Sequence, residues 1–280
     1  MLDPDSAGSA CPALAHPSPP TAEPPACGDG SAVPIDAAVE VSVVIPARDE
    51  AGNVRPVLDE LLETVGALGS WEIVCVDDAS DDGTLEALLA FRRERCPALR
   101  VVSHERGVGQ SMALLSGVRA ARGRLIVTLD ADGQNVPADI PAMLALARAR
   151  PDGSRFCIAG HRVARRDTRS KRLQSRVANA VRQRVLGDGT PDTGCALKVM
   201  PRETWLALPA FDHMHRFLPA LVRRAGGEIV VHPVGHRPRL AERSKYGLLD
   251  RLGTGLVDLV GVLWLSRRTP EVRAREIGPT

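Results

Sequence analysis

The sequence predicts an α/β domain, with a mostly parallel central sheet and helices on both faces. Three observations carry this. From about residue 38 to 150, short Val/Ile/Leu runs alternate with longer stretches whose apolar residues recur every three or four positions. This is the pattern of buried strands joined by crossover helices. The runs are punctuated by Pro, Gly, Asp and Ser, which break regular structure. Three of them end in polar clusters, where ligands bind in open parallel sheets.

In order, "VEVSVVIPA" is a β-branched strand ended by Pro46, and "NVRPVLDELLETVGAL" is a helix with its stripe at Val54, Val57, Leu58, Leu61, Leu62 and Val65. "WEIVCVDDAS" is the second strand, and "DDGTLEALLAFRRERC" a helix with Asp or Thr at its start, as helix caps require. "ALRVVSH" gives a third strand, "GQSMALLSGVRAA" a helix ending near Gly123, "RLIVTLDAD" a fourth strand and "VPADIPAMLALARA" a further helix. Past Pro151 the pattern loosens. "RFCIAGHRV" is a short strand, and "RSKRLQSRVANAVRQRVLG" a basic amphipathic helix. "DTGCALKVMPRETWLAL" is strand then helix, "HRFLPALVRRAGG" a helix stopped by glycines, and "EIVVHPVGHRP" a strand. An apolar helix over 248–268 closes the chain.

Residues 1–37 are rich in Pro, Ala, Gly and Ser and cannot bury enough apolar surface to fold, so they are read as a disordered tail. The domain proper spans 38–247, and 248–280 is a C-terminal helical segment that either lies on a membrane surface or forms a homodimer. Aromatics are 3% of the 280 residues against 44% hydrophobic overall, so the core is aliphatic. The net charge of +2 is polarised along the chain. The first half of the domain is acidic and the second basic, which suits an acidic metal site beside a surface for phosphates or anionic lipid; solvated arginines on helix faces are the plain alternative. Six scattered cysteines without a C-x-x-C pair point to a reduced, cytoplasmic protein without a zinc site or disulfide framework. No basic start followed by an apolar run marks a secretory leader, and no run reaches the roughly 18–20 apolar residues that span a bilayer.

Two carboxylates, Asp130 and Asp132, follow the buried run "LIVTL". Acids at the tip of a buried strand repel one another unless a cation joins them, and Mg²⁺ is held by one or two carboxylates together with substrate phosphates. Asp132 and Gln134 are the first ligand candidates, with Asp130 bound directly or through water; a surface turn is the alternative. Asp77 or Asp78 is placed to accept hydrogen bonds from a base or ribose, Asp78 being preferred, while Asp81 and Asp82 turn the chain and cap the next helix. Gly107-x-Gly109 lacks the third glycine of a dinucleotide fingerprint and is read as a loop near the nucleotide. Arg162, Arg172, Arg237, Arg239 and Lys245 fall at element ends and suit phosphate oxygens as a cluster. His213, His215 and Arg216 in "FDHMHRF" are acid–base groups, a His-x-His metal pair or a solvated cap. Cys195 is a small core residue. No aromatic stacking platform accompanies the arginines, so nucleic-acid binding is not expected.

"VSVVIPARDEAGNV", "IVCVDDASDDGT", "LDADGQNVPADI", "DTGCALKVM", "MHRFLPALV" and "HRPRLAERSKYG" occur in the order seen in family-2 glycosyltransferases, and the chain resembles most the dolichyl- or polyprenyl-phosphate mannosyltransferase branch. The resemblance implies a GT-A fold, a GDP- or UDP-hexose donor, Mg²⁺ or Mn²⁺, and a polyprenyl or dolichyl phosphate acceptor. It implies that Pro46, Ala47, Arg48 and Glu50 line the nucleotide pocket and that Asp78 meets the base. It also implies that Asp130, Ala131, Asp132 and Gln134 hold the metal and diphosphate, and that Arg162, Arg172, Arg239 and Lys245 meet acceptor or donor phosphates. Two departures stand out. Arg48 and Asp49 replace an aromatic residue and asparagine in the first motif, and Glu242 replaces a glycine before Ser244-Lys245. The function expected is inverting transfer of a mannose-like hexose at the inner membrane face. A soluble acceptor with Asp212 as base, another lipid acceptor, or a non-catalytic nucleotide-sugar-binding protein are the alternatives.

Overall fold

The computed structural model describes residues 39–66, 68–163, 182–184, 186–238 and 248–268, the last segment with side chains from 257 onward. Among the described residues, seven strands form one sheet in the order β3-β2-β1-β4-β6-β5-β7. They are β1 (Val41–Ala47), β2 (Trp71–Asp77), β3 (Arg100–Ser103), β4 (Leu125–Thr128), β5 (Phe156–Arg162), β6 (Lys198–Pro201) and β7 (Glu228–Val234). Six run in one direction. β6 runs against both its neighbours, with Thr128 opposite Lys198 and Ala159 opposite Lys198. The reason lies in the connection. The chain leaves β5 at the edge where β4 also ends and enters β6 from that same edge, so β6 runs back antiparallel to both.

The alternation of side chains sorts the strands' apolar residues onto two cores. Val41, Val43, Ile45, Ile73, Cys75, Leu125 and Val127 face one helical layer. That layer holds α1 (Ala51–Val65), α2 (Thr84–Glu94) and, after a 3₁₀ turn at Pro137–Asp139, α4 (Ile140–Arg148). Val44, Val74, Ile126 and Cys157 face the other, formed by α3 (Gln110–Ala120), α5 (Arg202–Ala207) and α6 (Leu218–Arg224). The stripe expected for α1 is the buried one, Val54, Val57, Leu58, Leu61 and Val65, with Leu62 packed partly against it. α3 lies unusually close to the sheet, because a Cβ at Gly117 would stand 2.4 Å from Val44 Cγ1. α3 ends sooner than expected, with Ala121 already extended. α7 (Leu248–Arg267) packs on α6 through Leu259, Val262 and Leu265, and Arg224 donates to the Leu265 carbonyl at 3.2 Å. Of the expected basic helix, Arg182–Arg184 and Leu186 are described and helical, and Gly187 is described outside the helix; Arg172, Arg239 and Lys245 lie outside the described residues.

The candidate active site at one edge of the sheet

β1, β2 and β4 deliver their polar clusters to one edge, as expected. After Pro46 and the buried Ala47, whose carbonyl accepts the Asp78 N–H at 2.9 Å, Asp49 turns the chain with a φ of 54°. Ser80 Oγ accepts the Asp49 N–H, and Asp49 Oδ1 accepts that of Asp81, both at 2.9 Å. Thr84 Oγ1 accepts the Glu50 N–H at 2.8 Å, and the Glu50 carboxylate accepts from Asn53, so Glu50 is committed to the start of α1. Asp82 caps as expected and does so twice. Its Oδ1 accepts the Thr84 N–H at 3.1 Å and its Oδ2 that of Ala51, also at 3.1 Å, joining the starts of α2 and α1.

Asp78 is 3% exposed. Its Oδ1 receives the Val108 N–H at 2.9 Å and stands 2.8 Å from His104 Nδ1, while Oδ2 receives the Gly109 N–H at 2.8 Å. Burial alone would raise its pKa; the bonds from His104, Val108 and Gly109 outweigh burial and hold it below the usual carboxylate range. Arg48 approaches from the open side, with Nη1 3.8 Å from Asp78 Oδ2. Its guanidinium rests on the bare Cα of Gly107, where a Cβ would come within 2.0 Å of Nη1. The Gly107-x-Gly109 loop is thus built around Asp78 and Arg48.

The second acidic group is tied to the first by consecutive residues. Gly109 holds Asp78, and Gln110, the first residue of α3, donates Nε2–H to Asp130 Oδ1 at 2.7 Å. Asp132 is 5% exposed and its Oδ1 accepts the Gln134 N–H at 3.0 Å, while Asn135 Oδ1 accepts the Asp130 N–H at 3.3 Å. Ala131 beneath them is buried in the core. Arg237 grips this turn from outside and pairs with Glu60 of α1. Among the described residues no group of three His, Cys, Asp or Glu side chains could hold a metal by itself. Two carboxylates and a carboxamide on one short turn, all oxygen donors, do fit Mg²⁺ or Mn²⁺ that completes its shell with phosphate oxygens.

Arg162 reaches the same edge, bound in a two-pronged pair to Asp192, with Nε to Oδ2 at 2.6 Å and Nη2 to Oδ1 at 2.7 Å. Burial opposes its charge, and Asp192 outweighs burial and raises its pKa. Lys198, 3% exposed, spends its ammonium on the carbonyls of Cys195 and Thr193. Cys195 is buried and burial pushes its thiol up, as a core residue's would be. His215 is bonded to the start of α3. Ser111 Oγ accepts the His215 N–H at 3.2 Å and stands 2.7 Å from its Nδ1. Burial, with the charges of Arg216, Lys198 and His213, pushes its pKa down to about 3, so the ring is neutral. His213 turns left-handed at φ 61° and pairs with Asp258 of α7 at 3.1 Å. Asp212 is 63% exposed at its side chain and lies beside Gly109, its Oδ1 3.4 Å from where a Cβ would stand.

Gln110, Ser111 and Asp192 escape the sequence reading. Gln110 and Ser111 carry one signal, their place directly after Gly-x-Gly at a helix start. Asp192 opens the "DTGCALKVM" motif, which marks the segment but not its pairing with Arg162.

The profile of Glycosyl transferase family 2 matches residues 42–205, more than half of the chain. The chain belongs to glycosyltransferase family 2. It is 34% identical over 234 residues to the dodecaprenyl-phosphate galacturonate synthase of Rhizobium johnstonii, covering 82% of this chain and 68% of that one. It is 35% identical over 222 residues to the undecaprenyl-phosphate 4-deoxy-4-formamido-L-arabinose transferase of Pseudomonas paraeruginosa, covering 79% and 64%. The chain thus spans about two thirds of the length of these relatives. Two solved structures share its architecture. Glucosyl-3-phosphoglycerate synthase from Mycobacterium tuberculosis, in complex with Mn²⁺, UDP and phosphoglyceric acid, has a TM-score of 0.61 at 22% identity over 83% of this chain and 80% of that one. A mannosyltransferase from Pyrobaculum calidifontis in complex with GDP-mannose and Mn²⁺ has 0.61 at 22%, over 85% and 67%. The fold of this family-2 glycosyltransferase is therefore of the GT-A type.

Proposed function

We propose that this family-2 glycosyltransferase moves a sugar from a nucleoside diphosphate sugar to polyprenyl phosphate, with inversion at the anomeric carbon. The observation that carries the reading is the α3 start, where consecutive residues bind the carboxylates of Asp78 and Asp130 and make one cleft of the two acidic strand ends. Asp78 Oδ2 has one internal donor and a lone pair left for a base N–H; Arg48 flanks it. Asp132, Gln134 and Asp130 hold the divalent cation, which when bound offsets charge on the departing diphosphate. Pro46, Ala47 and Ala131 form the backbone floor, and Glu50 sets the α1 start beneath them.

A phosphate oxygen of the acceptor forms the new bond to the anomeric carbon as the bond to the donor's diphosphate breaks. The monoester is already an anion, so no strong base is required. Arg162, Arg172, Arg239 and Lys245 are assigned to phosphates, Arg162 being held in place by Asp192. The sugars named for the relatives, galacturonate and formamido-arabinose, widen the donor class from a mannose-like hexose to hexuronates and amino-pentose derivatives; both UDP and GDP donors remain in the proposal.

The catalytic unit is 38–247, with 1–37 as a tail and 248–280 as the segment that meets the membrane from its inner face. α7 exposes Val257, Val260 and Trp264 (72%, 59% and 59%) at helical spacing beside Arg267 and Arg268, an arrangement suited to an anionic interface. No helix among the described residues is long and apolar enough to cross a membrane. The test is transfer from a panel of UDP- and GDP-sugars to polyprenyl phosphate with Mn²⁺ or Mg²⁺. Product formed with the lipid phosphate, and lost in Asp132→Asn, supports the reading. Transfer only to a water-soluble acceptor, lost in Asp212→Asn, overturns it in favour of a base-assisted enzyme.

A further inference from the structure

We propose that Arg237 is a positioning residue for the divalent cation, clamping the 130–135 turn so that Asp132 and Gln134 present their oxygens together. This deepens the reading above and rests on Asp132 being a ligand. Arg237 binds three consecutive carbonyls of that turn. Its Nε–H goes to Gly133 O at 3.0 Å, its backbone N–H to Gln134 O at 3.1 Å and its Nη2–H to Asn135 O at 3.1 Å. In return its own carbonyl lies 3.5 Å from Gln134 Nε2, and the preceding residue, His236, forms a bridge with Asn135. Inside the turn, Gly133 takes a left-handed φ of 73°, and the bonds of Asp132 to Gln134 and of Asn135 to Asp130 close it. The far side of the guanidinium is anchored by Glu60 on α1.

Apart from the buried Ala131, the turn contains little apolar surface to fix its shape, so polar contacts must order it. Arg237 orders it beforehand, and outer partners of this kind are typically worth about 10–100-fold in metal affinity. The planar fork matters more than the charge. Lysine would keep the Glu60 pair but, as a point donor, cannot bridge two carbonyls facing different ways.

The experiment titrates Mn²⁺ into the full chain with UDP or GDP present and follows free Mn²⁺ by electron paramagnetic resonance, with a thermal melt of each variant without metal. Arg237→Lys is expected to weaken Mn²⁺ binding by about 10–100-fold while its metal-free melting temperature stays near the wild type's, and excess Mn²⁺ is expected to restore kcat. Glu60→Gln keeps an acceptor for the guanidinium and is expected to weaken binding less. Should Arg237→Ala fail to fold, these two variants still decide the matter. A folded Arg237→Lys protein with Mn²⁺ affinity within about twofold of wild type, against the 10–100-fold expected, overturns the clamp alone. Wild-type protein whose Mn²⁺ uptake is absent, or unaffected by Asp132→Asn, overturns the metal reading itself and the clamp with it.

Discussion

Glu72 and Asp78 stand at opposite ends of β2. They are 5% and 3% exposed, and both have pKa values lowered because bonds to the carboxylate outweigh burial. Yet they do different work. Glu72 at the far edge is saturated by fixed donors, namely Ser42 Oγ at 2.6 Å, the Arg122 N–H at 2.6 Å and Arg100 at 3.0 Å. It fastens β1, β2 and the α3–β4 turn to one another. Asp78 is held by a glycine-containing loop on one side, and on the other meets a half-exposed arginine at 3.8 Å. Burial and a displaced pKa therefore do not mark a functional acid by themselves. What separates the two, on the proposed reading, is the half-exposed Arg48 beside Asp78, where Glu72 meets only fixed donors.

Substitutions can break or sharpen that contrast. The largest effect is expected from Asp132→Asn, which should lower kcat by roughly 10³-fold, about 4 kcal/mol of transition-state stabilisation, with the melting temperature hardly changed. Glu72→Gln should do the reverse. It should lose about 2 kcal/mol of stability in a denaturant titration and retain turnover where the protein stays folded. The acid limb separates them further. Glu72's folded pKa lies below its ordinary 4.5, so its contribution is present above that pH and lost as pH falls through the folded value. In Glu72→Gln the stability curve should flatten there.

His215, with a folded pKa of about 3 against 6.5, favours the fold only while neutral. Wild type should lose stability as pH falls below 6.5, and His215→Gln should lose less in that window. The smallest effect on chemistry belongs to α7. Val257→Ser with Trp264→Ser should reduce flotation with anionic liposomes and leave transfer to a short-chain, water-dispersed acceptor intact; unchanged flotation would assign the exposed stripe to a second copy of the chain.

The strands and helices of the first half were legible because their runs are long, aliphatic and sharply bounded; Val41 to Ala47 and the α1 stripe are buried as the spacing demands. The direction of β6 was not, since "ALKVMP" carries no mark of which neighbour it joins or from which edge it enters. In the site, Asp130, Asp132 and Asp78 announce themselves as acids after buried runs. Gln110, Asp192 and Arg237 act through partners 20, 30 and about 100 positions away, and only folding reveals such pairs. Arg162 shows the limit from the other side, because its residue type suits phosphate but its carboxylate partner cannot be read from its neighbours.

The contact of Arg48 with Gly107 binds the fates of two positions far apart in the chain. A methyl group at 107 would drive the guanidinium off Asp78, whereas a small residue at 48 would release 107 from having to be glycine. Family members that differ at one of these places should differ at the other, so the identity of the side chain after the first strand can be inferred from a loop two strands later.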